Sequence, residues 1–320
     1  MLTRREFGTA LAGSLAAASV AWSQTKLPRN SSRFGGVHVG AITYCYRSLR
    51  DPNEVWSRDA IDRRMDQTVA SYVQNRIDLA EFWIAFVEPL GGPGRGPTDA
   101  VARENLRKWR VARPVDVFER ARRKFDDAGI QIYSCMANLS DDLTDDEIEA
   151  LFDFARTLKT NIISANCTKA SIKRVAPFAD RHKVYVSAHS ENAPFDRNPD
   201  GMAYEKNLVE ALTYSPYIKA TLDTGHFTAF GGDAVKFVDQ HFDRIANLHL
   251  KDRLRRAEDR NDANTPEWGK GDAPIKEVLR LMKRRRAPFP ACIEYEYNGK
   301  GTAVQEVQKC LDYARAALET

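Results

Sequence analysis

The sequence predicts an α/β fold, a single (β/α)8 TIM barrel, on three observations. Short apolar, β-branched runs alternate with longer amphipathic stretches, a pattern typical of parallel strands connected by helices. Polar side chains follow several of these runs directly, where barrel strands would end at solvent. The chain has 320 residues, and the part that follows a predicted leader is about as long as one such barrel.

Eight strands are predicted at residues 37–43, 77–83, 131–136, 161–165, 184–188, 218–222, 245–249 and 291–295. Eight helices are predicted at residues 57–74, 114–128, 144–158, 169–181, 202–211, 233–240, 273–284 and 302–319. Thr144 and the acidic residues after it favour a helix N-terminus, and Pro114 is suited to a first-turn position. Eight strands that alternate with eight helices close a parallel barrel.

A long insertion, residues 88–113, follows the second predicted strand. Its Gly- and Pro-rich start, residues 91–97, excludes regular structure, whereas residues 98–110 are compatible with a short helix. Because long loops after barrel strands lie over the active site, we expect the insertion to border it.

Residues 1–25 are predicted to be a twin-arginine signal peptide. Arg4 and Arg5 precede a weakly hydrophobic run, residues 8–21, that is too short and too rich in Gly and Ala to span a membrane. We therefore expect export of the folded protein to the periplasm or beyond, without stable membrane insertion after signal removal. The alternative is an ordinary N-terminal helix. Residues 26–36 are predicted to be a linker, and residues 37–320 the barrel.

The charge and the cysteine content of the chain support neither a nucleic-acid-binding protein nor a disulfide-stabilised one. The formal net charge is +4, and without the predicted signal it is about +3, so no nucleic-acid partner is expected. The five cysteines contain no CxxC pair and do not predict a disulfide framework, so we expect most of them to pack in the interior. A homo-oligomer is compatible with the sequence, which does not determine the oligomeric state.

Four candidate metal ligands stand at the ends of consecutive predicted strands: His189, Asp223, His249 and Glu294. The carboxyl ends of parallel barrel strands meet at one face, so these side chains should converge. Two imidazoles and two carboxylates suit a hard-to-borderline divalent cation. Glu191, two residues beyond His189, is an alternative ligand from the same strand.

Four segments resemble the sugar isomerase/epimerase superfamily, whose fold is a xylose-isomerase-like barrel. They are Leu-Asp-Thr-Gly-His at residues 222–226, Asn-Leu-His-Leu-Lys-Asp at 247–252, Trp-Gly-Lys-Gly-Asp-Ala-Pro-Ile at 268–275 and Ile-Glu-Tyr-Glu at 293–296. The resemblance is best from about residue 184 onward. It implies one divalent ion, Mn²⁺ first, with Zn²⁺, Co²⁺ or Mg²⁺ as alternatives, held by residues that include Asp223, His249 and Glu294.

The resemblance also implies roles for other residues. His226 would bind substrate rather than metal, and Lys251 and Arg255 would reach substrate oxygens. We predict Glu294, His226 and Lys251 as catalytic residues. The chain departs from the family at the fifth strand, where epimerases carry a Glu and this sequence carries His189. Because 3-epimerisation needs one base on each face of the sugar, the change from Glu to His argues against 3-epimerisation as the reaction of this protein.

Three further residues are predicted to contact substrate. Glu81 and Asn138 end the second and third predicted strands, and Trp268 could pack on a sugar face. A structural salt bridge is the alternative role for Glu81, and core packing is the alternative for Trp268.

The predicted function is a metal-dependent sugar isomerase or epimerase that acts on a keto- or aldo-sugar through an enediolate, with Glu294 as a candidate base. One alternative is a lyase or hydratase of 3-keto-glycosides, in which loss of the C2 proton expels the C1 substituent. A second alternative is a non-catalytic periplasmic sugar-binding protein. An abasic-site endonuclease would need more metal ligands and a basic groove than this chain offers.

Overall fold

The computed structural model describes residues 31–51, 55–90, 96–191, 198–255 and 264–320. The predicted signal peptide, residues 1–25, and the first part of the predicted linker lie outside the described residues and stay predictions.

The strands confirm the predicted TIM barrel. Within the described ranges they are β1 (Arg33–Phe34), β2 (Val37–Ile42), β3 (Leu79–Trp83), β4 (Gln131–Leu139), β5 (Ile162–Cys167), β6 (Tyr185–His189), β7 (Ile218–Asp223), β8 (Ile245–Leu250) and β9 (Ala291–Ile293). Strands β2 to β9 pair in parallel in chain order, and β9 pairs with β2 to close the barrel. The short β1 pairs antiparallel with β2, so part of the predicted linker is attached to the barrel.

Helices surround the barrel at all eight predicted places. The described helices are α1 (Arg58–Gln74), α2 (Ala100–Val111), α3 (Val115–Asp127), α4 (Asp145–Thr157), α5 (Lys169–His182), α6 (Glu205–Ala211), α7 (Thr224–Ala229), α8 (Ala234–Gln240), α9 (Ile275–Arg285) and α10 (Ala303–Glu319). Helix α2 lies in the insertion, where a short helix was expected. Helix α7, which begins directly after β7, was not predicted. Among these helices none combines the length and apolar character needed to cross a bilayer.

The predicted helix starts are confirmed with one correction. Thr144 is the N-cap of α4, and its side chain and that of Glu147 form a capping box. Pro114 is the N-cap of α3 and not its first-turn residue, so α3 begins one position later than the sequence indicated.

Paired charges fix the insertion to the barrel. The Arg103 guanidinium donates to both carboxylate oxygens of Glu147 at 2.8 and 2.9 Å, and to Asp142 Oδ2 at 2.7 Å. Arg110 donates to both oxygens of Glu88, at 2.6 and 3.0 Å, and both of these residues are buried. Helix α2 is thereby held against the start of α4.

The barrel interior contains a layer of small polar side chains. Thr221 Oγ1 lies 2.7 Å from Ser187 Oγ and 3.1 Å from Ser164 Oγ, and all three residues are fully buried. Backbone register pairs Asp223 with His249, two residues beyond the Thr221–Asn247 pair, so those side chains lie above this layer on the same side of the sheet.

Candidate metal and substrate site

The four predicted ligands converge at the carboxyl end of the barrel. His189, Asp223 and His249 end or nearly end β6, β7 and β8, and Glu294 follows β9 directly. One ligand atom from each residue can be chosen so that all four atoms lie within 4.8 Å of one another, and all four residues are buried. This cluster could hold a metal ion.

The orientation of His189 is set by two asparagines. Its Nδ1 lies 2.7 Å from Asn166 Oδ1, and Asn166 Nδ2 donates to Asn138 Oδ1 at 3.0 Å. Because Asn166 presents its oxygen, Nδ1 of the imidazole is the protonated nitrogen and Nε2 carries the lone pair. Burial, together with the neighbouring His249, lowers the pKa of His189, which favours the neutral form that coordinates metals.

Asp223 directs one oxygen at that lone pair. Its Oδ1 accepts a hydrogen bond from the backbone N–H of His226 at 2.6 Å, as the N-cap of α7. Its Oδ2 lies 3.7 Å from His189 Nε2, and neither of these buried atoms has a hydrogen-bond partner among the described residues. Burial raises the pKa of Asp223, but the Lys251 ammonium outweighs burial and lowers it, so the carboxylate is ionised.

His249 is held between two carboxylates. Its Nδ1 lies 3.0 Å from Glu294 Oε2, and its Nε2 makes a hydrogen bond with Glu81 Oε2. Burial lowers the pKa of His249, but Glu81 and Glu294 outweigh it and raise the pKa to about 10. A carboxylate bonded to the outer nitrogen of a ligating histidine is the usual support of such a ligand.

The chemistry of this donor set fits a divalent cation. Buried polar atoms without hydrogen bonds are costly. Among the described residues His189 Nε2 has none, and Asp223 Oδ2, which faces it, has only the ion pair with Lys251 at 3.3 Å. Two imidazole nitrogens and two carboxylate oxygens are the donors that Mn²⁺, Co²⁺ and Zn²⁺ accept. His249 becomes such a donor when the cation displaces the proton that Glu81 and Glu294 stabilise.

Lys251 joins the cluster to further acidic groups. Its Nζ lies 3.0 Å from Glu294 Oε1, 2.7 Å from Glu296 Oε2 and 3.3 Å from Asp223 Oδ2. Burial raises the pKa of Glu294, but Lys251 and His249 lower it well below the ordinary value. The carboxylate of Glu294 is therefore ionised.

His226 lies against two cationic side chains. Its Nε2 is 3.0 Å from Lys251 Nζ, and its Nδ1 is 2.9 Å from an Arg253 guanidinium nitrogen. Burial and Lys251 lower the pKa of His226 well below the ordinary value, so the ring is neutral. Gly225 permits this packing, because a Cβ there would lie 3.0 Å from atoms of Lys251 and Arg253.

Glu191 lies on the other side of His189 from the unpartnered nitrogen. Its Oε2 is 3.4 Å from His189 Nδ1, and its Oε1 is 3.8 Å from His226 Nε2. The candidate ligand group contains His189 and not Glu191, so the structure brings the first of the two alternative ligands into the cluster.

Two of the predicted substrate residues, Glu81 and Asn138, lie in different places relative to the cluster. Glu81 is fully buried below the cluster, where its two oxygens accept hydrogen bonds from Ser134 and Asn247 at 3.1 Å. This placement corresponds to the structural role that the sequence left open for Glu81, and it puts the carboxylate behind His249. Asn138 lines a cleft beside the site.

Two other predicted substrate residues are not brought into the cluster. Trp268 is buried and packs edge-to-face on Tyr313, with ring centroids 6.0 Å apart, as the packing alternative expected. Arg255 is exposed, and its backbone N–H donates to Asp272 Oδ2 at 2.8 Å. The buried guanidinium beside His226 comes instead from Arg253.

The sequence assigned no role to two residues of the site, Arg253 and Glu296. It makes Asn166, which ends the fourth predicted strand, a candidate partner of substrate hydroxyls, but the bond of Asn166 to His189 is not predicted. Alternation along an extended chain is the signal that could have found Arg253 and Glu296. Arg253 is two residues from Lys251, and Glu296 is two residues from Glu294, so each shares a side with a predicted site residue.

A cleft of about 510 Å³ adjoins the cluster. Its wall includes Asn138 from β4, Asn166 from β5 and Glu191 after β6, together with residues of the insertion. The insertion therefore borders the site, as expected.

Comparison with known proteins agrees with the fold. Residues 164–315, which contain all four candidate ligands, match the family model of the xylose isomerase-like TIM barrel. No curated protein matches the chain significantly in sequence.

Several solved structures are similar to this chain. The D-allulose 3-epimerase from Methylomonas sp. superposes with a TM-score of 0.60 at 13% identity, covering 88% of this chain and 98% of that one. The probable 3-DHS dehydratase from Bacillus anthracis gives 0.59 at 16% identity, covering 86% and 98%. The 3-keto-D-glucoside 4-epimerase from E. coli gives 0.54 at 11% identity, covering 87% and 98%. At these identities the comparisons establish a shared fold.

Proposed function

We propose that this protein is a divalent-metal-dependent enzyme of the sugar isomerase/epimerase type. It removes the proton next to the carbonyl group of a keto- or aldo-sugar and forms an enediolate. One observation carries the proposal: His189 Nε2, buried and without a hydrogen-bond partner among the described residues, faces the buried Asp223 Oδ2 beside His249 and Glu294. Besides facing His189, that oxygen forms an ion pair with Lys251 Nζ at 3.3 Å.

One divalent ion is proposed as cofactor, with Mn²⁺ as the first choice and Zn²⁺, Co²⁺ or Mg²⁺ as alternatives. His189, Asp223, His249 and Glu294 would hold it. When bound, it supplies Lewis-acid polarisation of the substrate carbonyl.

The chain's own residues supply proton transfer and orientation. Glu294 is the proposed base, because its carboxylate lies at the carboxyl end of the barrel strands beside the other three candidate ligands. Lys251 holds Glu294 Oε1 at 3.0 Å and also contacts neutral His226, so the two residues can bind hydroxyl or carbonyl oxygens of the sugar while fixing the base.

The comparisons support a sugar as substrate at the level of the fold. Two of the similar structures are named as epimerases, of D-allulose and of 3-keto-D-glucoside, and one as a dehydratase. These names describe those proteins, and fold alone does not transfer a reaction.

Deuterium exchange tests the proposal. The Mn²⁺-loaded protein is incubated in D₂O with free ketoses, aldoses and 3-keto-glucosides, and deuterium at the carbon next to the carbonyl is measured by NMR. We expect uptake, and we expect Glu294→Gln to reduce it by orders of magnitude.

Glu306→Gln is the matched control, because Glu306 is also a buried glutamate but bonds to Tyr297 Oη at 2.7 Å, outside the cluster. No uptake with any of these sugars would refute proton removal. If Glu294→Gln then bound the sugars as tightly as the unchanged protein, the molecule would be the non-catalytic sugar-binding protein.

A lyase or hydratase of 3-keto-glycosides is the second candidate. It is favoured by the imidazole of His189 at the end of β6, where a two-base epimerase would carry a ligating carboxylate. Loss of the C2 proton with departure of the C1 substituent needs a base on one face of the sugar. Release of the aglycone in the same incubation would select this reaction over isomerisation.

We also propose export by the twin-arginine route, supported by Arg4, Arg5 and the weakly hydrophobic run that follows. A fusion of residues 1–36 to a reporter that requires this route would reach the periplasm, and a fusion with both arginines changed to lysine would not. Equal export of both fusions would contradict the proposal.

A further inference from the structure

The cleft beside the metal cluster is bordered by side chains that also contact the cluster. Asn166 lines the cleft and bonds to His189 Nδ1, and Glu191 lines it 3.4 Å from the same nitrogen. Glu191 also lies 3.8 Å from His226 Nε2, so it joins the cleft to the side of the cluster on which His226 and Lys251 lie. A sugar bound on that side would extend a substituent past Glu191 into the cleft.

We propose that the cleft is a subsite for an uncharged, apolar group carried by the sugar. The substrate would then be a glycoside with an apolar aglycone, and not a free sugar or a sugar phosphate. This inference rests on the proposed function only in placing the sugar at the metal cluster.

The size of the cleft supports this proposal. At about 510 Å³ it lies within the range of sites that enclose drug-sized ligands. Because the sugar ring is placed at the metal cluster, this volume is available to the group that the ring carries.

The lining gives the chemical character of that group. Leucines and a proline from three parts of the chain face the cleft: Leu90, Pro97, Leu106 and Leu139. An apolar substituent gains free energy by leaving water for such a surface.

Charge pairing disfavours an anionic group. The two guanidinium groups at the cleft, Arg103 and Arg110, are each engaged by carboxylates, from Asp142, Glu147 and Glu88. Two guanidinium groups and four carboxylates line the cleft, so its described wall carries more negative than positive charge. A phosphate would have to displace existing ion pairs and approach like charge.

Calorimetric titration of the Mn²⁺-loaded full chain with three probes tests the proposal. The probes are phenyl β-D-glucopyranoside, methyl β-D-glucopyranoside and α-D-glucose 1-phosphate. We expect the phenyl glucoside to bind at least about tenfold more tightly than the methyl glucoside. The phosphate should bind no more tightly than the methyl glucoside. Equal affinity of the two glucosides, tighter binding of the phosphate, or no measurable binding of the phenyl glucoside would overturn the inference.

A substitution at Gly96 tests whether the preference for the phenyl glucoside arises in the cleft. Gly96 lines the cleft, its backbone φ lies outside the left-handed region, and a Cβ built there meets no atom of the described residues within 4 Å. Gly96→Trp should therefore fold and remove the preference for the phenyl glucoside, with Mn²⁺ affinity unchanged. A preference that persists in this variant would show that the phenyl group binds elsewhere and would contradict the assignment.

A pair of leucine variants provides a second readout. Leu106→Ala removes a cleft contact, and Leu151→Ala removes an equally buried leucine of α4 that does not line the cleft. We expect about a tenfold loss of phenyl glucoside affinity in the first variant only, and equal losses in both would overturn the inference. A failure of the proposed function looks different, because the phenyl preference would remain while no deuterium is taken up.

Discussion

His189 Nε2 lies 3.7 Å from Asp223 Oδ2, and both atoms are buried. Among the described residues the nitrogen has no hydrogen-bond partner, and the oxygen has an ion pair with Lys251 Nζ at 3.3 Å but no hydrogen bond. Folded proteins rarely leave a buried nitrogen in this state, because it forfeits its hydrogen bond to water. A cation between the two atoms would satisfy both.

Loss of either side chain should therefore weaken metal binding. We expect His189→Gln and Asp223→Asn each to reduce Mn²⁺ affinity by more than about 100-fold, beyond the usual effect of changing a residue outside the ligand shell. Calorimetric titration of the metal-free protein measures this change. His226→Gln is the matched control, since His226 is equally near but lies outside the ligand group, and its Mn²⁺ affinity should be close to that of the unchanged protein. Equal losses in all three variants would refute the ligand assignment.

Asn166 should act through His189. Its oxygen keeps the proton on Nδ1 and leaves Nε2 free. We expect Asn166→Leu to lower Mn²⁺ affinity by about 10- to 100-fold, while Asn166→Asp, which retains an acceptor, should restore it. The same titration checks both variants, and unchanged affinity in Asn166→Leu would contradict a role in fixing the tautomer.

Glu81 should support both the metal site and the fold. Its oxygens bond to Ser134, Asn247 and His249 inside the barrel. Glu81→Gln removes the charge that faces His249, so we expect at least about a tenfold loss of Mn²⁺ affinity and about 1 to 3 kcal/mol of stability. Denaturant unfolding and Mn²⁺ titration are the measurements. The control Glu306→Gln should lose stability without losing Mn²⁺ affinity. A loss of Mn²⁺ affinity in Glu306→Gln equal to that in Glu81→Gln would show that Glu81 has no specific role at the metal site.

Glu147 should make stability depend on acid pH. Burial raises its pKa, but hydrogen bonds from Arg103 and the Thr144 backbone outweigh burial and lower it. The stabilisation is therefore complete above the ordinary glutamate pKa of about 4.3 and is lost as the pH falls through the lower value of the folded state.

The variant Glu147→Gln lacks this titration. We expect the difference in melting temperature between the unchanged protein and Glu147→Gln to be largest at neutral pH and to shrink below about pH 4. A difference that is constant or grows toward acid pH would show that the ion pair is not its cause.

The barrel could be predicted from the sequence because its strands and helices differ in hydrophobic period. Helix α7 was missed because its six residues are all buried and show no polar face. The one available signal was Asp223, three residues before His226, in the position of an N-cap. The last strand is predicted to end at Tyr295, whereas β9 ends at Ile293. The sequence shows how far a strand-like run extends, but not where its backbone stops pairing with the neighbouring strands.

The four ligands could be predicted because each ends a strand, and barrel geometry converts strand ends into neighbours. The residues that hydrogen-bond to these ligands could not be predicted from the sequence, because those bonds depend on side-chain orientation across the barrel. Asn166 and His189 are separated by 23 residues, and Glu81 and His249 by 168. Arg255 was chosen where Arg253 is the buried residue, because the sequence did not show where the chain turns after β8.

The proposed ligands of one divalent ion are two imidazoles and two carboxylates. Pulsed EPR of the Mn²⁺-loaded protein measures this coordination, since it detects nitrogen atoms bound to the ion. We expect one Mn²⁺ per chain with two coupled imidazole nitrogens, one of which is absent in His189→Gln. A chain that binds no Mn²⁺, or whose bound Mn²⁺ shows no imidazole coupling, would refute this ligand set.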